Sequence, residues 1–297
     1  MSSEKDFLFD LVIVGAQKSY TTSLKMYLGE HPDIITHPQQ EMAYFTDDKE
    51  YAAGFAKALL HYFKGVDGKD GKKLIAKNAI LYTYEEGIKR LQQHNPHCKI
   101  LLSLRNPVDR AYSAYLMEYN YADIGFPFEK IMDVAAKADA TYWPYNLFID
   151  AGNYAKYLKM IYKYFPKEQV MVVLCDEIKE NPVKVCRGIF NWLGVDATFV
   201  PEIKIHNPTV KAGPKVYARL AVRLLKKSPF VRKAAGLIIP SHYNYKVGDF
   251  VRNLNKTSRK YEPMNPVIRV ELIQYYSPAN KELEEMTGKN VIVLWSK

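Results

Sequence analysis

The sequence predicts an α/β fold in which helices flank a central parallel sheet, as a single domain over residues 1–297. Three apolar runs rich in Val, Ile and Leu predict buried strands at Phe9–Gly15, Lys99–Leu104 and Gln169–Leu174. Longer segments of helical periodicity separate these runs, and such alternation is typical of a parallel sheet covered on both faces. Ligand sites in folds of this class lie at the carboxyl ends of the strands.

Local signals define the remaining elements. Residues 72–82 are expected to contain a further strand. Asn106 and Pro107 predict the start of a helix directly after the second strand, because Asn caps a helix and Pro at the first helical position loses no needed donor. Helices are predicted over residues 22–32, 85–96, 107–119, 154–166 and 182–194.

Composition limits the class of protein without fixing its function. The 297 residues include 42 Lys and Arg against 32 Asp and Glu, a formal charge of +10, which favours an anionic ligand. Three cysteines without CxxC spacing argue against a disulfide framework or a zinc site. With no signal peptide and no apolar run of membrane-spanning length, we expect a cytoplasmic protein without a transmembrane segment.

The stretch VGAQKSYTTSLKMYL, residues 14–28, has the character of an anion-binding loop. A strand leads into a short turn that carries Lys18, and hydroxyl residues open the following helix, where backbone N–H groups and the helix dipole favour an anion. The spacing does not fit a nucleotidase P-loop, because Gln17 and Val12 stand where glycines are required. Simple helix capping by Thr and Ser is the alternative.

GAQKSYTTSL resembles the 5′-phosphosulfate loop of sulfotransferases that use 3′-phosphoadenosine 5′-phosphosulfate (PAPS). That family has the pattern Lys-Ser/Thr-Gly-Thr-Thr/Ser after a strand, so Tyr20 stands in the place of the usual glycine. We expect Tyr20 to keep a negative φ and to turn its ring outward. The resemblance implies a PAPS site formed by Gln17, Lys18, Ser19, Tyr20, Thr21, Thr22 and Ser23.

A second motif, LSLRNPVDRAYSAYLMEY at residues 102–119, is similar to the 3′-phosphate motif of the same family. Arg105 at the strand end and Ser113 two turns into the helix can converge on one phosphate. A helix cap with a surface Arg–Asp pair is the alternative. The resemblance further implies that a loop with Lys211 and Gly213 contacts the 3′-phosphate.

The resemblance also implies a set of catalytic residues, through the branch that contains the heparan sulfate enzymes. Glu41 in QEMAYF matches the general base of that branch, and Lys77 matches a lysine that reaches the transferred group, although Ala76 replaces the acid before it. Lys18 is expected to stabilise the leaving phosphate. His61 and His206 are the alternative bases. No metal is expected, because lysines can take the role that Mg²⁺ has for phosphoryl groups.

The acceptor site is encoded less clearly. Aromatic residues beside the catalytic candidates are expected to contact a small-molecule acceptor, with ordinary packing as the alternative. They are Tyr20, Tyr44, Phe45, Tyr82 and Trp143. The basic segment at residues 211–233 allows peripheral membrane contact, and we expect no nucleic-acid partner.

The resemblance therefore predicts a PAPS-dependent sulfotransferase, related to soluble bacterial-type enzymes, that acts on a hydroxyl or amine and releases adenosine 3′,5′-bisphosphate. Two alternatives remain. One is a nucleotide or small-molecule kinase. The other is a relative of impaired activity, which Tyr20 and Ala76 would explain.

Overall fold

The computed structural model describes residues 7–66, 69–119, 124–203 and 262–296. Its central feature is a five-stranded sheet in the order β2-β3-β1-β4-β5. All four strand pairs are parallel, which confirms the predicted fold class. The strands are β1 (Leu11–Gly15), β2 (Ile34–Thr36), β3 (Lys73–Lys77), β4 (Lys99–Leu104) and β5 (Val170–Leu174).

Eleven α-helices lie in the described ranges, numbered here in chain order. The first six are α1 (Thr21–Gly29), α2 (Asp48–Ala52), α3 (Phe55–Tyr62), α4 (Glu85–His94), α5 (Pro107–Tyr119) and α6 (Ile131–Lys137). The other five are α7 (Tyr154–Tyr162), α8 (Cys175–Glu180), α9 (Pro182–Leu193), α10 (Pro266–Thr287) and α11 (Val291–Trp295). A π-helical turn spans Tyr145–Ile149.

Alternate side chains of β1 face two different cores. Leu11 and Ile13 pack in the cluster that holds residues of α1 and α9, such as Leu24. Val12 and Val14 pack on the opposite face with residues of α4 and α7. Because successive side chains of a strand point to opposite faces, a strand buried on both sides needs the unbroken apolar run found here.

The strand β1 has β3 on one side and β4 on the other, so their carboxyl ends meet at one edge of the sheet. Each of these ends leads directly into a polar segment. Asn106 caps α5 as predicted, since its Oδ1 accepts from the Val108 N–H at 3.0 Å, and Pro107 is the first helical residue. The short strand β2 was not predicted, because three residues give too weak an apolar pattern.

Candidate active site

Three cationic residues lie at the shared edge of the sheet. Lys18 follows β1, Lys77 is the last residue of β3, and Arg105 follows β4. The sequence placed these residues far apart along the chain, and the parallel strand order brings them together. Two groups of side chains result, one beside each neighbour of β1.

The turn between β1 and α1 has an unusual backbone. Lys18 and Tyr20 both have positive φ values, 71° and 60°. The expectation of a negative φ at Tyr20 is therefore wrong: the residue adopts the left-handed conformation that glycine enters most easily, at a cost of about 1–2 kcal/mol for a side chain. The ring is 38% exposed, as an outward orientation requires.

The helix α1 begins without a side-chain cap. Tyr20 occupies the N-cap position and makes no side-chain hydrogen bond to the helix, and the first turn holds no acidic residue. The backbone N–H of Leu24 makes the first intrahelical bond, to the Tyr20 carbonyl at 2.9 Å. The preceding N–H groups of the first turn have no intrahelical acceptor, and the helix dipole favours an anion beside them.

Lys18, Arg105 and Ser113 form what we call the β4 cluster. The side-chain Nε of Arg105 and the hydroxyl of Ser113 are buried without a hydrogen-bond partner. Burial lowers the pKa of Lys18, the nearby charge of Arg105 lowers it further, and Glu118 opposes both. The cluster thus holds two neighbouring cations and buried donors that the protein itself does not satisfy, a combination that suits an anion.

Other predicted cofactor contacts are buried in the protein. The Ser19 N–H donates to the Ala16 carbonyl at 3.1 Å, and the buried Ser19 hydroxyl, which lies beside the Cys175 thiol, makes no hydrogen bond. A hydrogen bond engages the Ser23 hydroxyl with Tyr27. The contacts of Ser19 and Ser23 with PAPS remain predictions. Thr21 is buried at the start of the helix.

Glu41, Lys77 and Thr22 form the second group, the β3 cluster. The Lys77 ammonium donates to Glu41 Oε1 at 2.7 Å, to Thr22 Oγ1 at 3.0 Å and to the Gln40 carbonyl at 2.8 Å. The other carboxylate oxygen of Glu41 accepts from the Ala79 N–H at 2.9 Å. Both oxygens of the predicted base are therefore held by residues at the end of β3.

Burial differs sharply within this pair. The side chain of Lys77 is 0% exposed, whereas that of Glu41 is 41% exposed. Burial lowers the pKa of Lys77, although the Glu41 carboxylate opposes this effect. The arrangement presents the carboxylate at the surface while its counter-ion stays inside. All three ammonium protons of Lys77 are engaged, so its predicted contact with a transferred group requires one of these bonds to be exchanged.

Sequence reasoning missed three residues that support the β3 cluster. Lys25 of α1 donates to the carbonyls of His37 and Gln39 at 2.7 and 2.6 Å. The His37 Nε2 accepts from the Lys77 N–H at 3.1 Å, and Asn78 donates to the Met42 carbonyl at 3.0 Å. The position of Lys25, one helical turn after Thr22, was the available signal.

A comparison with known protein families shows to which family this chain belongs. The model of the family described as "Sulfotransferase domain" matches residues 8–235, which is more than half of the chain. The chain belongs to the sulfotransferase domain family. This match includes the segments of Lys18, Glu41, Lys77 and Arg105, and it confirms the resemblance found in the sequence.

The chain is similar in sequence to several enzymes of heparan sulfate. A human bifunctional heparan sulfate N-deacetylase/N-sulfotransferase 3 is 25% identical over 97% of the chain and 31% of its own length. A mouse heparan sulfate glucosamine 3-O-sulfotransferase 6 is 23% identical over 94% of the chain and 72% of its own length. The chain spans less than a third of the length of such bifunctional relatives.

A solved structure supports the fold. A sulfotransferase from Alicyclobacillus acidocaldarius superposes with a TM-score of 0.65 and 24% identity, over 97% of this chain and 99% of that one. In the described ranges, no helix combines the length and the apolar character that crossing a membrane requires.

Three of the aromatic residues expected to line the acceptor site lie in the core. Tyr44, Phe45 and Tyr82 are 6%, 2% and 1% exposed. Tyr82 packs so closely on Gly15 that a Cβ there would lie 2.2 Å from its ring, and its hydroxyl donates to the Ala151 carbonyl at 2.6 Å. The prediction that these three rings contact an acceptor is corrected, because burial removes them from any ligand.

Other predicted residues differ in outcome. Trp143 is exposed, with its ring 5.6 Å from that of Phe148, and its acceptor contact remains a prediction. His61 is exposed at the end of α3. Lys211, Gly213, His206 and the basic segment 211–233 lie outside the described residues.

A groove of about 700 Å³ beside α7 lies apart from both clusters. Three lysine–carboxylate pairs line it: Lys156–Asp150, Lys159–Glu282 and Lys163–Glu85. Because these charges balance, the groove offers no net attraction for an anion. The chemistry of the side chains, and not the volume of a cavity, therefore locates the candidate site. Among the described side chains, no group of three or more His, Cys, Asp or Glu residues is placed to hold a metal ion.

Proposed function

We propose that this protein is a PAPS-dependent sulfotransferase that transfers a sulfuryl group to a hydroxyl or amine. The observation that carries the proposal is the β4 cluster. Arg105 Nε and Ser113 Oγ are buried donors without partners, the charge of Arg105 acts on the ammonium of Lys18, and the uncapped start of α1 follows Lys18. Four separate features at one edge of the sheet thus favour a multiply charged anion.

The residues present fit PAPS as the co-substrate. Arg105 and Ser113 would bind its 3′-phosphate. The residues of the turn and of the start of α1 would surround its 5′-phosphosulfate: Gln17, Lys18, Ser19, Tyr20, Thr21, Thr22 and Ser23. Of these, Ser19 and Ser23 would contribute their backbone rather than their side chains. PAPS supplies an activated sulfuryl group. Lys18 would stabilise the negative charge on the phosphate that leaves, as preorganised cations do in related transfers. Lys211 and Gly213 remain proposed contacts of the 3′-phosphate.

Glu41 is the proposed general base. Its carboxylate is half-exposed and accepts two hydrogen bonds, from Lys77 at 2.7 Å and from the Ala79 N–H at 2.9 Å, which fix its orientation before an acceptor arrives. An oriented carboxylate at the surface can accept the proton of an acceptor hydroxyl or amine. Lys77 keeps Glu41 in place, and it would contact the transferred group by exchanging one of its three hydrogen bonds.

The relatives suggest where the search for an acceptor should begin. They include a bifunctional heparan sulfate N-deacetylase/N-sulfotransferase and a heparan sulfate glucosamine 3-O-sulfotransferase. We therefore propose glucosamine derivatives as the first acceptors to test, with small alcohols, phenols and amines next. We also propose that the chain acts as a single domain in the cytoplasm.

Calorimetry tests the nucleotide site directly. We expect adenosine 3′,5′-bisphosphate to bind in buffer of low ionic strength, and adenosine 5′-monophosphate, which lacks the 3′-phosphate, to bind at least tenfold more weakly. Equal affinity for the two nucleotides would remove the role assigned to Arg105 and Ser113. Binding of ATP that requires Mg²⁺ would favour a kinase instead.

Turnover is tested separately. The protein is incubated with PAPS and each acceptor of the panel, and mass spectrometry detects a product heavier by one sulfuryl group. Tight bisphosphate binding with no product from any acceptor would indicate a nucleotide-binding relative of impaired activity.

A further inference from the structure

A second buried lysine lies next to the β3 cluster. Lys25 is 5% exposed, although it belongs to the middle of α1 and carries an ammonium group. Its Nζ donates to the His37 carbonyl at 2.7 Å and to the Gln39 carbonyl at 2.6 Å. A buried lysine is costly unless its charge is well coordinated, so this placement calls for a reason.

The bonds of Lys25 fix the segment that carries Glu41. Residues 37–40 lead directly into Glu41, and three of their carbonyls each accept a hydrogen bond from one of two lysines. Lys25 takes those of His37 and Gln39, and Lys77 takes that of Gln40 at 2.8 Å. On the other side of the segment, the Met42 N–H donates to the Lys77 carbonyl at 2.8 Å. Glu41 thus lies between two anchored points.

The same helix contacts both halves of the proposed site. Thr22, at the start of α1, accepts from Lys77 at 3.0 Å, and Lys25, one turn later, holds residues 37–39. The helix whose first turn faces the proposed phosphosulfate is therefore bonded twice to the unit that contains the base. A rigid connection of this kind sets the distance between bound PAPS and the base, and small errors in that distance lower the reaction rate.

We propose that Lys25 is a positioning residue, which holds the Glu41–Lys77 pair in register with the anion-binding start of α1. Lys25 does not touch the reacting atoms; it acts through the backbone of residues 37–40. The inference rests on the proposed function, in which Glu41 is the general base.

The electrostatics of the three side chains agree with this role. Burial lowers the pKa of Lys25 to about 8, the charge of Lys77 lowers it further, and Glu41 opposes both. His37, which also faces Lys25, is neutral at that pH, because burial lowers its pKa to about 3. The ammonium of Lys25 is therefore sensitive to the charges of both Lys77 and Glu41.

A double-mutant cycle separates positioning from general structural support. The four proteins are the wild type, Lys25→Met, Glu41→Gln and the double variant, assayed with PAPS and the fastest acceptor of the panel. We expect Lys25→Met to lower kcat about tenfold, with the KM for PAPS and the affinity for adenosine 3′,5′-bisphosphate within about twofold. In the Glu41→Gln background, Lys25→Met should have no further effect.

The outcomes are distinct. If the effects of Lys25→Met and Glu41→Gln multiply in the double variant, or if Lys25→Met weakens bisphosphate binding, the positioning role is overturned. If Glu41→Gln turns over like the wild type, the proposed base is wrong, whatever Lys25 does. Lys57→Met, at an exposed lysine of α3, is the matched control and should leave kcat unchanged.

A second measurement does not depend on turnover. The ¹³Cε resonance of Lys25, assigned by its loss in Lys25→Arg, should titrate near pH 8. Lys77→Met removes a repulsive charge and should raise the Lys25 pKa, whereas Glu41→Gln removes an attractive one and should lower it. A Lys25 pKa that responds to neither substitution would overturn the proposal. This titration keeps Lys25 in place, so it does not depend on Lys25→Met; if that variant fails to fold, Lys25→Gln replaces it in the double-mutant cycle.

Discussion

The β3 cluster and the β4 cluster differ in how far the protein satisfies its own polar atoms. In the β3 cluster, both oxygens of Glu41 and all three protons of Lys77 have partners. In the β4 cluster, Arg105 Nε and Ser113 Oγ are buried without any. Buried polar groups are normally paired, so the unpaired atoms of the β4 cluster favour a ligand there. The contrast supports the proposal that the β3 cluster is a preformed catalytic group and the β4 cluster a binding site.

The largest effect is expected at Lys18. Lys18→Ala should lower kcat about 10³-fold, because a preorganised cation beside the leaving group is typically worth about 10²–10³ in rate. Steady-state release of adenosine 3′,5′-bisphosphate from PAPS measures it. Lys57→Ala, at an exposed lysine, serves as control. A Lys18→Ala protein with near wild-type turnover would show that the β4 cluster binds without assisting departure.

Glu41→Gln should lower kcat about 10²-fold, within the range of general-base contributions. The amide keeps the shape of the side chain and loses the proton acceptor, so adenosine 3′,5′-bisphosphate should bind with unchanged affinity by calorimetry. Glu129→Gln, at an exposed carboxylate, is the matched control. Weaker bisphosphate binding in Glu41→Gln would mean that the two clusters are not functionally separate.

Arg105→Ala should weaken bisphosphate binding about 30-fold, because a hydrogen bond from a charged donor is worth about 2 kcal/mol. Calorimetry with adenosine 5′-monophosphate provides the internal control, since the affinity for a nucleotide without a 3′-phosphate should change little. Arg187→Ala, at an exposed arginine of α9, should leave both affinities unchanged. An unchanged bisphosphate affinity in Arg105→Ala would refute the ligand assigned to the β4 cluster.

The burial of His37 next to the β3 cluster predicts that the stability of the protein depends on pH. Burial, with the charges of Lys25 and Lys77, lowers the pKa of His37 to about 3 from a usual 6.5. The unfolded chain therefore binds a proton that the native protein does not. Stability should fall as the pH drops below about 6.5, by up to about 1.4 kcal/mol per pH unit.

Guanidinium unfolding between pH 7 and pH 5 measures this slope. His37→Gln, which can still accept the Lys77 N–H, should show a shallower dependence by the same amount. Equal slopes in the two proteins would mean that the pKa of His37 does not differ between the native and the unfolded protein.

The smallest effect is expected at Tyr20. Tyr20→Gly removes a side chain from a left-handed conformation and should stabilise the turn by about 1 kcal/mol, set against the greater freedom of glycine in the unfolded chain. Bisphosphate binding should be equal or better, while relative rates across the acceptor panel should change. Loss of bisphosphate binding in Tyr20→Gly would place the tyrosine in the anion site itself.

The positions of three strands and the candidate anion-binding residues were readable in the sequence. Apolar runs gave the positions of β1, β4 and β5, because the strands of a parallel sheet covered by helices are rich in Val, Ile and Leu. Lys18 and Arg105 follow such runs, and the carboxyl ends of parallel strands share one edge. Local pattern was sufficient for these features, since each depends on neighbouring residues and on a general rule of topology.

Only the tertiary structure decided the roles of the remaining residues. Tyr44, Phe45 and Tyr82 lie close to the catalytic candidates in the sequence, but the structure buries them in the core. The sequence could not predict this, because the periodicity of a short irregular segment does not show which way a ring points. In the sequence, Lys25 looks like an ordinary surface lysine of a helix. Only the structure shows that it donates to the carbonyls of residues 37 and 39. The sequence by itself determined a sheet edge rich in cations. Long-range packing decided which of these cations the protein pairs internally and which it leaves for a ligand, since that depends on contacts between segments distant along the chain.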